Sequence, residues 1–202
     1  MNAIHDHLDF NNMCNYHDLT SYERLVNSEQ GVKVLHINAR SITGKFDEIK
    51  TLIKTLHNKI DVLCITETWL NDDDKELFQI DGYRSYHLVR TSREHGGVSI
   101  FVSNRFKSKP LVQHCVVDDD IEMNTVQVTT LLGKIIICAI YRPNPDSYLV
   151  ETFTTRLNDI LSDNVFRKNK TVLIGDININ LLTRHKPIFN YFTVVQLFSI
   201  DI

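Results

Sequence analysis

The sequence contains little glycine or proline and has no apolar run long enough to cross a membrane. Its 202 residues include 7 glycines and 4 prolines, which excludes collagen-like and low-complexity chains. The longest unbroken apolar run, Ile135 to Tyr141, is far shorter than the about 20 residues of a membrane-spanning helix. The first residues also lack the basic and apolar segments of a secretory signal. A membrane is therefore not among the expected partners.

Cysteine is scarce too, and its spacing argues against a zinc site. The four cysteines, Cys14, Cys64, Cys115 and Cys138, form no C-x-x-C pair, which is the spacing typical of structural zinc. Cys64 and Cys138 lie inside apolar runs. This predicts buried free thiols and an intracellular, reducing compartment.

Neither sign of charge dominates the composition. Hydrophobic residues make up 43% of the chain and charged residues 23%, with a formal net charge of -3. A globular domain is expected, and a nucleic-acid partner would have to meet a local basic face. Residues 1 to about 30 are polar and show no sustained period, which predicts an extension outside the core. The domain itself is expected over residues 31–202.

The hydrophobic pattern predicts an α/β fold whose middle is mostly antiparallel sheet. Amphipathic helices are expected over 46–56 and 149–161, with another after Pro187. The expected strands cover residues 32–37, 61–66, 83–89, 98–103, 111–117, 123–132, 135–141 and 171–174.

Polar side chains stand at the ends of four of these strands. They are Asn38, Glu67, Tyr141, and the pair Asp176 and Asn178. Each has an ordinary structural explanation by itself, such as an Asx-turn, a helix cap or a core aromatic residue with a solvated hydroxyl. Together they provide carboxylate and amide oxygens, which suit Mg²⁺ or Mn²⁺. The pattern therefore favours metal-dependent phosphodiester hydrolysis, with no small-molecule cofactor.

Five segments carry a family resemblance that covers Val32 to Leu182. LHINARSITGKFDEI, DVLCITETWL, GGVSIFV, IYRPN and LIGDININLL resemble the endonuclease/exonuclease/phosphatase superfamily. More narrowly, they are similar to the apurinic-type endonuclease domain of non-LTR, LINE-like retrotransposons. The resemblance implies a four-layered α/β sandwich of two mixed sheets flanked by helices. It also implies an enzyme that nicks target DNA and binds the duplex through the DNA backbone. A nuclear location is expected for such an enzyme.

The same resemblance implies a role for each strand-end residue. Glu67 would be the principal ligand of Mg²⁺ or Mn²⁺, and Asn38 an auxiliary residue of the site. Tyr141 would donate to the phosphate, Asp176 would orient the attacking water and Asn178 would position the phosphate beside it.

Two basic residues also match positions near the family's site. Arg40 and Lys45 would contact DNA, although solvated surface residues are the more ordinary interpretation.

The sequence departs from the family pattern after Asn178. The family closes with strands bearing an Asp and then a Ser-Asp-His-type motif, and no such motif follows here. His185 lies too close to Asn178, and no histidine follows Ser199 and Asp201. We therefore expect a truncated domain without its last strands and with little or no nicking activity.

Two other functions stay open at this stage. One is a phosphatase of the same superfamily acting on a small phosphoester, and the other is a non-catalytic remnant that at most binds nucleic acid. The acidic clusters 72–74 and 118–120 are expected to be exposed turns. The basic clusters 105–109 and 167–170 either contact phosphate or merely aid solubility.

Overall fold

The computed structural model describes residues 18–28, 31–91, 95–143 and 150–179. Its helices are α1 (Leu19–Ser28), α2 (Phe46–Thr55), α3 (Val150–Leu161) and α4 (Asn164–Lys168). Its strands are β1 (Val34–Asn38), β2 (Val62–Thr66), β3 (Tyr83–Leu88), β4 (Val98–Ser103), β5 (Lys107–Pro110), β6 (Val116–Val117), β7 (Glu122–Thr130), β8 (Gly133–Tyr141) and β9 (Lys170–Asp176). No helix among these residues is long and apolar enough to span a bilayer.

The first sheet has the strand order β1-β2-β4-β3. β1 and β2 are parallel, because α2 returns the chain to the same edge, whereas the other pairs are antiparallel. α2 repeats apolar residues at helical spacing, and its Phe46, Ile49 and Ile53 are buried against Leu35 and Ile37 of β1. This packing covers the outer face of the sheet.

The second sheet has the order β5-β7-β8-β9, with β6 also paired to β7. β8 and β9 are parallel and the remaining pairs are antiparallel. Phe153 and Leu157 of α3 and Phe166 of α4 pack against Ile136 and Ile140 on its outer face.

A third apolar cluster lies between the two sheets. Val62 and Ile100 of the first sheet pack there with Val126, Ile137 and Ile174 of the second. The order helix, sheet, sheet, helix confirms the expected four-layered α/β sandwich with two mixed sheets.

The register aligns the polar strand ends at one edge of the sandwich. In the first sheet Asn38 is paired with Thr66, the residue before Glu67. In the second sheet a single row joins Glu122, Tyr141 and Asp176 across β7, β8 and β9.

Four segments differ from the sequence-based expectation. Residues 111–117, expected to be one strand, form a 3₁₀ turn followed by the two-residue β6. β5, whose sequence is KSKP, was not expected and also pairs with β7. The short α4 was not expected. Within the supposed N-terminal extension, α1 buries Tyr22 and Val26 in the core. These elements depend on contacts with distant residues, which local periodicity does not record.

Several sequence-based interpretations lie outside the described residues. They concern Cys14, His185, the helix after Pro187, Ser199 and Asp201. Among the described cysteines, Cys64 and Cys138 are buried free thiols, and Cys115 is partly buried.

Candidate active site

Asn38, the last residue of β1, joins the two carboxylates of the site. Its Nδ2 donates to Oε1 of Glu67 at 2.9 Å and to Oδ2 of Asp176 at 2.7 Å. Glu67 belongs to the first sheet's edge and Asp176 to the second's, and 109 positions separate them in the sequence. The two carboxylates therefore lie close enough to share one amide group.

Glu67 occupies a tightly held loop directly after β2. Its φ of 52° is in the left-handed region, which non-glycine residues rarely adopt. The backbone N–H groups of Ala39, Ser41 and Ile42 donate to the carbonyls of residues 66, 67 and 68 at 2.9 to 3.0 Å. On the other side of the loop, the N–H of Trp69 donates to the Gly96 carbonyl at 2.8 Å. These bonds hold the strained backbone and aim the carboxylate.

Tyr141 ends β8 in the row with Glu122 and Asp176, and the charge of the Glu67 carboxylate acts on its hydroxyl. Burial raises the pKa of Tyr141 well above its ordinary value, and the nearby charges of Glu67, Glu122 and Asp176 raise it further. Tyr141 therefore remains a protonated donor at neutral pH.

Asp176 is the last residue of β9, and two donors fix both of its carboxylate oxygens. Oδ2 accepts from Asn38, and Oδ1 accepts from the backbone N–H of Asn178 at 3.0 Å. An ionised carboxylate offers about four acceptor positions. Asp176 can therefore accept a further hydrogen bond from water without losing its orientation.

Asn178 is held by the residue after β8. Its Nδ2 donates to the Arg142 carbonyl at 2.7 Å, and Arg142 Nη1 donates back to the Asn178 carbonyl at 3.1 Å. Arg142 is itself buried, with its guanidinium 5.8 Å from the ring centre of Phe153. The segment after β9 is therefore tied to the end of β8.

The two basic residues of the first loop differ in their surroundings. Arg40 is exposed beside the site, and its backbone N–H donates to Asn38 Oδ1 at 3.3 Å. Lys45 is partly buried, and its Nζ donates to the Ala39 carbonyl at 2.7 Å. Of the two, Arg40 has the side chain that is more accessible to a ligand.

The donor set fits a hard divalent cation. Glu67, Asp176 and Glu122 each raise the pKa of Tyr141, and Glu67 also raises that of Glu122, so negative charge is concentrated at this edge. In the described ranges, no three His, Cys, Asp or Glu residues form a ready-made ligand cluster. Mg²⁺ does not need one, since it binds through one or two carboxylates and keeps several waters.

Sequence reasoning missed Glu122, which buttresses the Glu67 loop from the second sheet. It is fully buried, its Oε2 accepts from the Gly97 N–H at 2.6 Å, and its Oε1 accepts from Arg90 Nη1 at 2.8 Å. Burial raises the pKa of Glu122, whereas the Gly97 N–H and Arg90 oppose that rise. The Gly96 carbonyl accepts the hydrogen bond from the Trp69 N–H. Because the Glu122 carboxylate binds the neighbouring Gly97 N–H, it supports the glycine turn that holds the Glu67 loop.

In the sequence, the glycine pair before β4 is the feature that reflects this close contact. Gly96 and Gly97 both have positive φ. A Cβ on Gly96 would collide with Glu122, and one on Gly97 would collide with Thr68. The sequence shows this pair within GGVSIFV, but nothing in the sequence indicates which side chain lies against it.

Comparison with known proteins agrees with this architecture. Residues 26–192 match the model of the Endonuclease/Exonuclease/phosphatase family. The chain is 25% identical over 142 residues to the RNA-directed DNA polymerase from mobile element jockey of Drosophila melanogaster. That match covers 70% of this chain, which spans 14% of the length of the relative.

Solved structures share the fold at low sequence identity. The endonuclease domain of TRAS1, a telomere-specific non-LTR retrotransposon, aligns with a TM-score of 0.50 and 16% identity over 74% of this chain and 60% of that one. The AP endonuclease LMAP of Leishmania major aligns with a TM-score of 0.56 and 18% identity over 73% and 55% of the two chains. The chain therefore belongs to the Endonuclease/Exonuclease/phosphatase family.

Proposed function

We propose that this chain is the metal-dependent DNA endonuclease domain of a non-LTR retrotransposon and cleaves phosphodiester bonds at the Asn38, Glu67 and Asp176 edge. The observation that carries the proposal is the amide of Asn38, which lies between the two carboxylates and joins the two sheets. A bound Mg²⁺ or Mn²⁺ would supply Lewis-acid stabilisation of charge on the phosphate and the leaving oxygen. Glu67 would hold it.

The remaining residues bind and orient the reactants. Asp176, with both oxygens fixed, accepts a hydrogen bond from the attacking water and aligns it with the phosphorus. Tyr141 stays protonated and donates to a phosphate oxygen. Asn178, tied to Arg142, places a second amide beside that phosphate, and exposed Arg40 contacts the DNA backbone.

The buried thiols support an intracellular, reducing compartment. Cys64 and Cys138 are free, and burial raises the pKa of each thiol, that of Cys138 to about 12. Such thiols are chemically inert. A DNA substrate adds the nucleus as the proposed location.

A plasmid-nicking assay tests the proposed function. It compares the 202-residue chain with the same chain followed by the closing strands of a related family member, which carry the Ser-Asp-His-type motif. In Mg²⁺, we expect the longer protein to convert supercoiled DNA to open circles. The 202-residue chain is expected to be at least about 100-fold slower, because losing one preorganised donor typically costs that much.

Two variants of the longer protein distinguish the loss of the metal-binding carboxylate from the loss of an exposed surface carboxylate. Glu67→Gln should lower nicking at least about 100-fold. Glu48→Gln, which neutralises an exposed carboxylate on α2, should leave it unchanged. The proposal is overturned if Glu67→Gln nicks as fast as Glu48→Gln. Equal nicking by the short and long proteins would contradict the expected need for the family motif.

A further inference from the structure

Three lysines lie on one face of the second sheet, at the end far from the active site. Lys107 of β5 is paired with Thr129 of β7, and Thr129 is paired with Lys134 of β8. Side chains directly opposite each other in a ladder point to the same face. Lys109 follows two residues after Lys107 and so shares that face.

This face is the outer one, and the helices leave its far end uncovered. Lys134 precedes Ile136 by two residues, and Ile136 packs against α3 and α4. The lysines therefore point to the helix side of the sheet. Lys107, Lys109 and Lys134 are nevertheless exposed.

Three more cations lie at the same end of the sheet. Arg167 and Lys168 end α4, and Lys170 begins β9, where it is paired with Ile135, the residue after Lys134. All three are exposed. We call these six residues the basic strip: Lys107, Lys109, Lys134, Arg167, Lys168 and Lys170.

The carboxylates of the described residues do not neutralise the basic strip. Within the described part of the chain, none of its six residues forms an ion pair. Lysines elsewhere are paired, since Lys50 contacts Asp47 at 2.6 Å and Lys75 contacts Asp72 at 2.6 Å. The strip is therefore a local basic face on a chain whose net charge is -3.

Two leucines project from the hairpin tip beside the strip. Leu131 and Leu132 connect β7 to β8 directly before Lys134, and their relative exposures are 105% and 92%. The nine residues of β8 separate this tip from Tyr141 by about 27 Å. The tip thus belongs to a surface distinct from the catalytic edge.

We infer that the basic strip is a second nucleic-acid contact, which binds the backbone of a single strand while Leu131 and Leu132 contact its bases. Lysine and arginine bind phosphates without sequence preference, and leucine side chains can wedge against unstacked bases. Lys107, Lys109 and Lys134 share one sheet face, and the cations of α4 and of the start of β9 continue along the same end of the sheet instead of surrounding the leucines. This linear arrangement suits a linear polyanion better than an anionic membrane surface. This contact does not require the catalytic edge to be active.

Fluorescence anisotropy with a labelled oligo-dT of about 20 nucleotides tests the inference on the full chain, with EDTA present. The variant K107E/K109E/K134E should bind at least 10-fold more weakly at low salt, since about three phosphate contacts become repulsive. The charge-matched control R24E/K54E/K75E alters cations of α1, α2 and the 3₁₀ turn after β2, and its loss should be under 3-fold. Circular dichroism verifies folding.

Salt dependence and further variants make the test specific. The slope of log affinity against log salt should decrease by about 2 in the strip variant, because each single-strand phosphate contact contributes about 0.7. L131S/L132S should weaken binding several-fold with an unchanged slope, and Glu48→Gln, at an exposed position on α2, should not change binding. The inference is overturned if the strip variant binds like the control, or if the chain binds anionic phosphatidylserine vesicles but not the oligonucleotide.

Discussion

Asn38 shows how one neutral side chain can organise a charged site. It offers one N–H group to each of two carboxylates that belong to different sheets. Its oxygen also accepts from the backbone of Arg40, so all parts of the amide are used. An aspartate here would place a third carboxylate against Glu67 and Asp176, whereas the amide relieves their repulsion.

His36 predicts a specific dependence of stability on pH. It is fully buried between the sheets, its Nε2 lies 3.0 Å from Thr66 Oγ1, and its Nδ1 has no hydrogen-bond partner among the described residues. Burial lowers its pKa from 6.5 to about 4, although the charge of Asp176 opposes the shift. The unfolded chain therefore binds more protons, and stability falls as the pH drops from about 6.5 towards 4.

Urea unfolding at about pH 7 and about pH 5 measures this effect. Protonation of His36 in the unfolded chain should lower the free energy of unfolding by about 2 kcal/mol over that interval. The decrease in His36→Gln should be smaller by about that amount. Gln113→Asn, which changes an exposed and neutral side chain, is the control and should retain the wild-type dependence. Equal losses in the wild type and His36→Gln would show that His36 does not carry the effect.

At the scale of elements, the parallel pair β8 and β9 depends on a glycine. Gly175 precedes Asp176 and has a φ of 150°. A Cβ at this position would overlap the backbone carbonyl of Ile140 on the neighbouring strand. Only glycine lets β9 approach β8 closely enough to keep Asp176 in register with Tyr141.

Gly175→Ala should therefore lower the free energy of unfolding by about 3 kcal/mol or more. The matched control is Gly44→Ala, where an added Cβ meets no atom within 4 Å, and its effect should stay within about 1 kcal/mol. Urea denaturation gives both values. Similar stabilities for the two variants would refute the close approach of β8 and β9.

The sequence predicted elements well where periodicity was strong and poorly where pairing was distant. β4 was predicted residue for residue, and α2 and β8 nearly so, because long apolar patterns identify buried faces. β5 could not be predicted, since KSKP has the composition of a loop and becomes a strand only through β7. Residues 111–117 looked like a strand because most of them are apolar, although their 3₁₀ turn buries no residue and leaves Val112 exposed.

At the scale of the whole molecule, the site follows from topology more than from any single motif. Asn38, Glu67 and Asp176 stand at strand ends, and they converge because both sheets open on one edge. Glu122 and Arg90 were not predicted. Their role depends on a contact between the second sheet and the Gly96–Gly97 turn of the first, and one sequence does not reveal which layers meet.

The most direct test of the account is Mn²⁺ binding to the 202-residue chain, measured by isothermal titration calorimetry. We predict one site whose affinity falls at least about 10-fold in Glu67→Gln. Asp73→Asn is the control, since it removes a carboxylate from the exposed acidic turn after β2, and it should bind like the wild type. Unchanged affinity in Glu67→Gln, or a loss only in Asp73→Asn, would contradict a metal-dependent site at the Asn38, Glu67 and Asp176 edge.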